Sequence, residues 1–101
     1  MTLEERFEQF DNDRFGFGSI ENKLSRRPDV HAFILLDSIV EPEVHPTGFP
    51  SDIIACAEHD EIWLDVDCDG LNEKITDEQI LELVRCGVRY DSDVDSLTMY
   101  V

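Results

Sequence analysis

Thirteen of the 101 residues are aspartate, and where they alternate with other residues they form the chain's most concentrated chemistry. Asp65-Val66-Asp67-Cys68-Asp69-Gly70 opens like a calcium loop, in which carboxylates at alternating positions precede a glycine that makes a sharp turn. Such a loop continues with an apolar eighth residue and closes on a bidentate Glu at the twelfth, where Asn72 and Thr76 stand here. An insertion of three residues would bring Ile75 and Gln79 to those places, with Gln the poorer ligand. Calcium on Asp65, Asp67 and Asp69 is therefore the alternative expectation, and no metal or cofactor is the primary one. Asp11-Asn12-Asp13 with Gly16 is a weaker match, and Asp91-Ser92-Asp93-Val94-Asp95 lacks the glycine. Cys56 and His59 have the spacing of half a zinc site, but Cys68 and Cys86 supply no second pair.

Glu58-His59-Asp60-Glu61 places an imidazole between carboxylates, a pattern that suits general acid-base work. His31 and His45 have no evident partner, and the chain has no glycine-rich phosphate loop, no nucleophile elbow and no cysteine with an evident activating cation. A domain of this length has little material for both a core and a closed ligand pocket. The expectation is a protein that is not an enzyme. An odd number of cysteines without dense spacing fits reduced thiols acting as small buried hydrophobes.

The acids outnumber the bases 24 to 8, a net charge of −16, which repels phosphate and excludes direct binding to nucleic acid or an anionic membrane. The chain is nevertheless 42% hydrophobic, too apolar for a disordered segment. Residues 1–28 carry six acids and five bases; residues 29–101 carry eighteen acids against Lys74, Arg85 and Arg89. Self-repulsion on that scale lowers stability, so it calls for a reason beyond solubility. No apolar run approaches a membrane span and the N-terminus lacks the features of a signal peptide, so a cytoplasmic location is expected.

Thr2 and Glu5 form a capping box that predicts a helix to about Phe10, with Leu3, Phe7 and Phe10 on its apolar side. Residues 11–18 read as a loop pinned by Phe15 or Phe17, and Ser19 as the cap of a short helix ending near Arg27. Pro28 starts a further helix to Val40, lined by Val30, Phe33, Leu36 and Val40, although residues 33–36 would also suit a buried strand. A proline-rich loop over 41–52 separates this helical half (1–40) from an acidic, sheet-forming half (52–101) of one domain. There, strands over 52–57 and 61–66 bracket a hairpin at Glu58-His59-Asp60, with Cys56 beside Ile54 on the core side. Ile62, Leu64 and Val66 face inward while Trp63, Asp65 and Asp67 face outward. Thr76 and Gln79 cap a helix that Gly87 ends, and strands over 88–91 and 97–101 form a second hairpin. The sum is an α+β fold: two to three N-terminal helices, then a β-β-α-β-β unit with an antiparallel sheet of about four strands.

Acids at alternate strand positions project the same way about 6.6–6.8 Å apart, a row that resembles a row of phosphates. Asp65, Asp67 and Asp69 with Asp91, Asp93 and Asp95 would supply such rows. Glu58, Asp60, Glu61 and Trp63 would form the edge, and Glu73, Glu78 and Glu82 a helical strip. Trp63 and Tyr100, expected on the same outer face, suit the aromatic anchors of interfaces. In size, charge concentrated after residue 29 and these acid rows, the chain resembles the small acidic phage-encoded inhibitors that imitate DNA, among them anti-CRISPR and anti-restriction proteins. The resemblance implies a stoichiometric blocker whose partner is a basic nucleic-acid-binding protein or complex. A further alternative is a small accessory or assembly interaction protein whose near-neutral helical half is the interface, the acids serving only solubility.

Overall fold

The computed structural model describes residues 1–14, 16–42, 44 and 46–100. The expectations attached to Phe15, His45 and Val101 lie outside the described residues. Thr2 caps α1 (Leu3–Glu8) through the capping box with Glu5, and Leu3 and Phe7 are its buried side. Two single 3₁₀ turns follow, Asp11–Asp13 and Phe17–Ser19. The helix expected over 19–27 is not formed. Asn22 adopts positive φ, the Leu24 amide donates to His31 Nδ1, and Pro28 holds Arg27 extended. Pro28 then opens α2 (Pro28–Ile39), which resolves the choice between helix and strand. Its buried side is His31, Ala32, Leu35 and Leu36, with Phe33 and Val40 only partly covered. A helix apolar on nearly every side leaves periodicity too weak to fix which face turns inward.

The second half is a four-stranded antiparallel sheet in the order β1-β2-β4-β3, built from β1 (Ile54–Glu58), β2 (Glu61–Leu64), β3 (Val88–Asp91) and β4 (Ser96–Tyr100). His59 at positive φ closes the first hairpin and Asp95 at positive φ helps close the second. Between β2 and β3 lie two helices instead of one, α3 (Cys68–Lys74) and α4 (Asp77–Arg85). Thr76 caps α4 through its box with Gln79, and Gly87 at φ 96° releases the chain into β3. Ile62, Leu64, Val88, Leu97 and Met99 face Leu71, Ile80, Leu83 and Val84, so the helices cover one face of the sheet. The architecture is α+β. No helix among the described residues is long and apolar enough to cross a membrane.

The three cysteines differ in environment. Cys56 is exposed on β1, not turned to the core, because a bulge between Ile54 and Cys56 shifts the register and β1 lies open at the sheet edge. Cys86 is buried, and burial followed by the charge of Glu82 pushes its thiol up to about 12. Burial, then Asp67 and Asp69, also raises the Cys68 thiol. Iodoacetamide at neutral pH should therefore modify Cys56 first and the partly buried Cys68 more slowly, with Cys86 reacting only on unfolding; mass spectrometry of a time course reads the order.

Candidate acidic interface

The register of β2 on β4 decides where the aspartates go. Trp63 stands opposite Thr98, and the Ser96 hydroxyl lies 3.1 Å from the Leu64 carbonyl, so the exit of β2 sits beside the entry of β4. Asp91 stands opposite Ser96 at that same end. The stretch from Asp65 to Asp69 and the turn from Asp91 to Asp95 therefore meet at one end of the sheet. Cys68 reports their proximity: the charges of Asp67, Asp69 and Asp95 all raise its thiol pKa. None of these six aspartates forms an ion pair among the described residues.

The expected row of acids along extended strands is corrected. β2 ends at Leu64, Asp67 becomes the N-terminal cap residue of α3, and Asp69 lies in the first helical turn. Asp91 closes β3, while Asp93 and Asp95 lie in the turn beyond it. The acids are gathered by chain reversal, without the even spacing of a strand. The calcium-loop alternative loses its geometry for the same reason. Gly70 is helical, and a Cβ there would come within 2.8 Å of an Asp67 carboxylate oxygen, so this glycine makes room for Asp67 instead of turning a loop. Among the described residues no three His, Cys, Asp or Glu side chains are grouped so as to hold a metal ion.

Glu58 and Asp60 are exposed in the first hairpin, at the opposite end from Asp91 to Asp95, because Glu61 pairs with Tyr100 at the far end of β4. Glu73 and Glu78 are exposed on α3 and α4. Glu82 does not join Glu78 in an outward strip; its carboxylate lies 3.5 Å from Nε2 of the buried His31. Glu61 is also engaged. Its Oε2 accepts from Arg89 at 2.8 Å and lies 2.9 Å from the Thr98 hydroxyl, which is only 1% exposed as a residue. Arg89 in turn lies 4.4 Å from the Tyr100 ring centroid.

The outer sheet face thus carries a network of paired polar groups, with Trp63 and Tyr100 on it as their register requires. Sequence reading missed Arg89 and Thr98. The available signal was the alternation that puts Arg89 with Asp91 and Thr98 with Tyr100 on one face, but pairing them needs the β3-β4 register.

Asp91 links this network to the acidic end. Its Oδ2 accepts from the Trp63 indole at 3.1 Å and its Oδ1 from the Asp93 amide at 3.0 Å. The indole first, then the amide, hold its carboxyl below the usual Asp value. A lowered carboxyl pKa contributes stability above the unfolded value and loses it as pH falls through the folded one. Trp63 emission should therefore stay constant from neutral pH to about pH 4 and change only below that. In Trp63→Phe the Asp91 carboxyl resonance should titrate nearer the usual Asp range; an unchanged titration would remove the indole as the cause.

The site is thus a surface of carboxylates beside a partly buried tryptophan, suited to charge-assisted contacts with Lys and Arg. No protein-family model, curated protein or solved structure matches the chain.

Proposed function

We propose that the chain is a non-catalytic binding protein that presents a DNA-like acidic surface to the basic groove of a nucleic-acid-binding protein or complex, inhibiting it by occupying the groove. The supporting observation is the convergence of Asp65, Asp67 and Asp69 with Asp91, Asp93 and Asp95 at one sheet end, free of ion pairs among the described residues. Leaving six carboxylates without an ion pair among the described residues costs self-repulsion, which a cationic groove would relieve through the contacts it otherwise makes to phosphate. A phage-encoded inhibitor of host defence acting in the host cytoplasm fits this reading.

The test captures partners from host lysate on the immobilised chain at low and high salt. It then asks whether duplex DNA or RNA displaces the captured protein. Displacement is expected. A partner that binds the duplex and this chain together would contradict the reading.

A further inference from the structure

A cleft of about 380 Å³ opens between α2 and the segment entering β1, and reaches the exit of β2 at Asp65 and Val66. Phe33, Val40, Ile53 and Val66 contribute apolar walls. Asp37, Glu41, Asp52 and Asp65 line it too, and none of its described lining residues is cationic. Each of these four carboxylate residues is exposed, and none forms an ion pair among the described residues. Exposed apolar side chains are concentrated in the same part of the chain: Ile34 on α2, Val44 and Phe49 in the loop, and Ile54 at the start of β1.

The strand that continues from this cleft is bare. β1 is a sheet edge and all five of its residues are exposed. Its centre, Ala55-Cys56-Ala57, has small side chains and no Lys or Pro, so what blunts this edge is limited to the bulge between Ile54 and Cys56 and the terminal Glu58. The other edge is protected, since β3 is half-buried against α1 and carries Arg89 and Asp91. An uncovered edge beside an apolar cleft is the arrangement that accepts an added strand, with the backbone supplying affinity and the pocket supplying selectivity.

We propose that the cleft and the β1 edge together receive an extended basic segment of a protein partner, which seats one large apolar side chain in the cleft between flanking Lys or Arg residues. The inference rests on the basic-partner reading above and adds a second contact with its own chemistry. Charge decides the occupant. A second copy of this chain would bring its own −16 charge to a rim of four carboxylates, whereas a basic segment would neutralise them.

The test uses the full chain, isotopically labelled, with short synthetic peptides in which Arg alternates with Val around a central Phe. Amide shifts should change in Ile53–Glu58 and along α2. Replacing the central Phe by Ser should weaken binding about tenfold, the scale of one well-filled apolar contact. Of two peptides N-methylated along opposite edges, one should lose binding, because only one edge pairs with β1. Asp37→Lys with Asp52→Lys should weaken binding about tenfold more than Asp69→Lys with Asp93→Lys, although both pairs change the net charge equally.

Equal effects of the two charge pairs, tolerance of Ser, or indifference to methylation of either edge would each overturn the proposal. So would light scattering showing a dimer with concentration-dependent shifts over Ala55–Ala57, which would make a second copy the occupant. Displacement by duplex tests the aspartate end separately, so a failure of the cleft contact and a failure of the aspartate contact are distinguishable.

Discussion

Asp69→Lys combined with Asp93→Lys should cut affinity for a basic partner by on the order of 100-fold at low salt, and should flatten the dependence of binding on salt. The pair takes one residue from each half of the acidic end and moves the net charge from −16 to −12, a change of two per reversal. Asp65 is left in place because it also lines the cleft beside α2. Asp93 is exposed, and its side chain makes no hydrogen bond to described residues. Asp69 sits in the first turn of α3, where loss of a favourable dipole interaction costs about 0.3–1 kcal/mol. Relief of repulsion around Asp67 and Asp95 works in the opposite direction, so denaturation midpoints should move little. Titration calorimetry across a salt series reads both quantities. Full affinity in this variant, with loss of binding on reversing Arg26 and Arg27 instead, would transfer the interface to the helical half.

Elements specified by short-range chemistry were legible in the sequence. Thr2 with Glu5 and Thr76 with Gln79 are local boxes whose hydrogen bonds need no tertiary partner, and both are present. Gly87 needed only its own positive φ. α3 was hidden because Asp67, Asp69 and Gly70 read as turn formers. Leu71 and Ile75, one helical turn apart and both buried, carry the opposing signal, with Asp69 in the first turn and Lys74 in the last. Tertiary burial prevailed over local preference.

For the site, the charge asymmetry was legible as a count, and the meeting of the two aspartate triplets was not. That meeting depends on β2 pairing with β4, a neighbour distant in sequence, and on the exit of β2 and the β3-β4 turn lying at the same end of the sheet. The same dependence hides the neighbours of Glu61 and Glu82 from the sequence. Arg89, which pairs with Glu61, and His31, beside which Glu82 lies, are far away along the chain.

Arg6→Met should destabilise the fold by about 2–4 kcal/mol, a large part of the roughly 5–15 kcal/mol that holds a domain of this size together. Arg6 looks like one more surface charge on a short helix, yet its guanidinium joins α1 to the α3-α4 junction. Nη1 donates to the Asn72 carbonyl at 2.9 Å and to its side-chain oxygen at 2.8 Å. Nη2 donates to the Ile75 carbonyl at 2.7 Å and to Asp77 at 3.1 Å. Two of these acceptors are backbone carbonyls at the C-terminal end of α3, which the helix itself cannot satisfy.

The Asp77 contact adds little, because that carboxylate is largely exposed and screened. The carbonyl contacts dominate, since losing the donor leaves partly buried acceptors without a partner. Met keeps much of the aliphatic stem and so separates hydrogen bonding from packing. Arg6→Lys should recover only part of the loss, because one ammonium cannot reproduce the two-pronged geometry. Urea denaturation reads the difference as a lower midpoint at unchanged slope, with a melting temperature depressed by roughly 10–20 °C. A cost below about 1 kcal/mol for the Met variant would show that packing of Leu3 and Phe7 alone holds α1 in place.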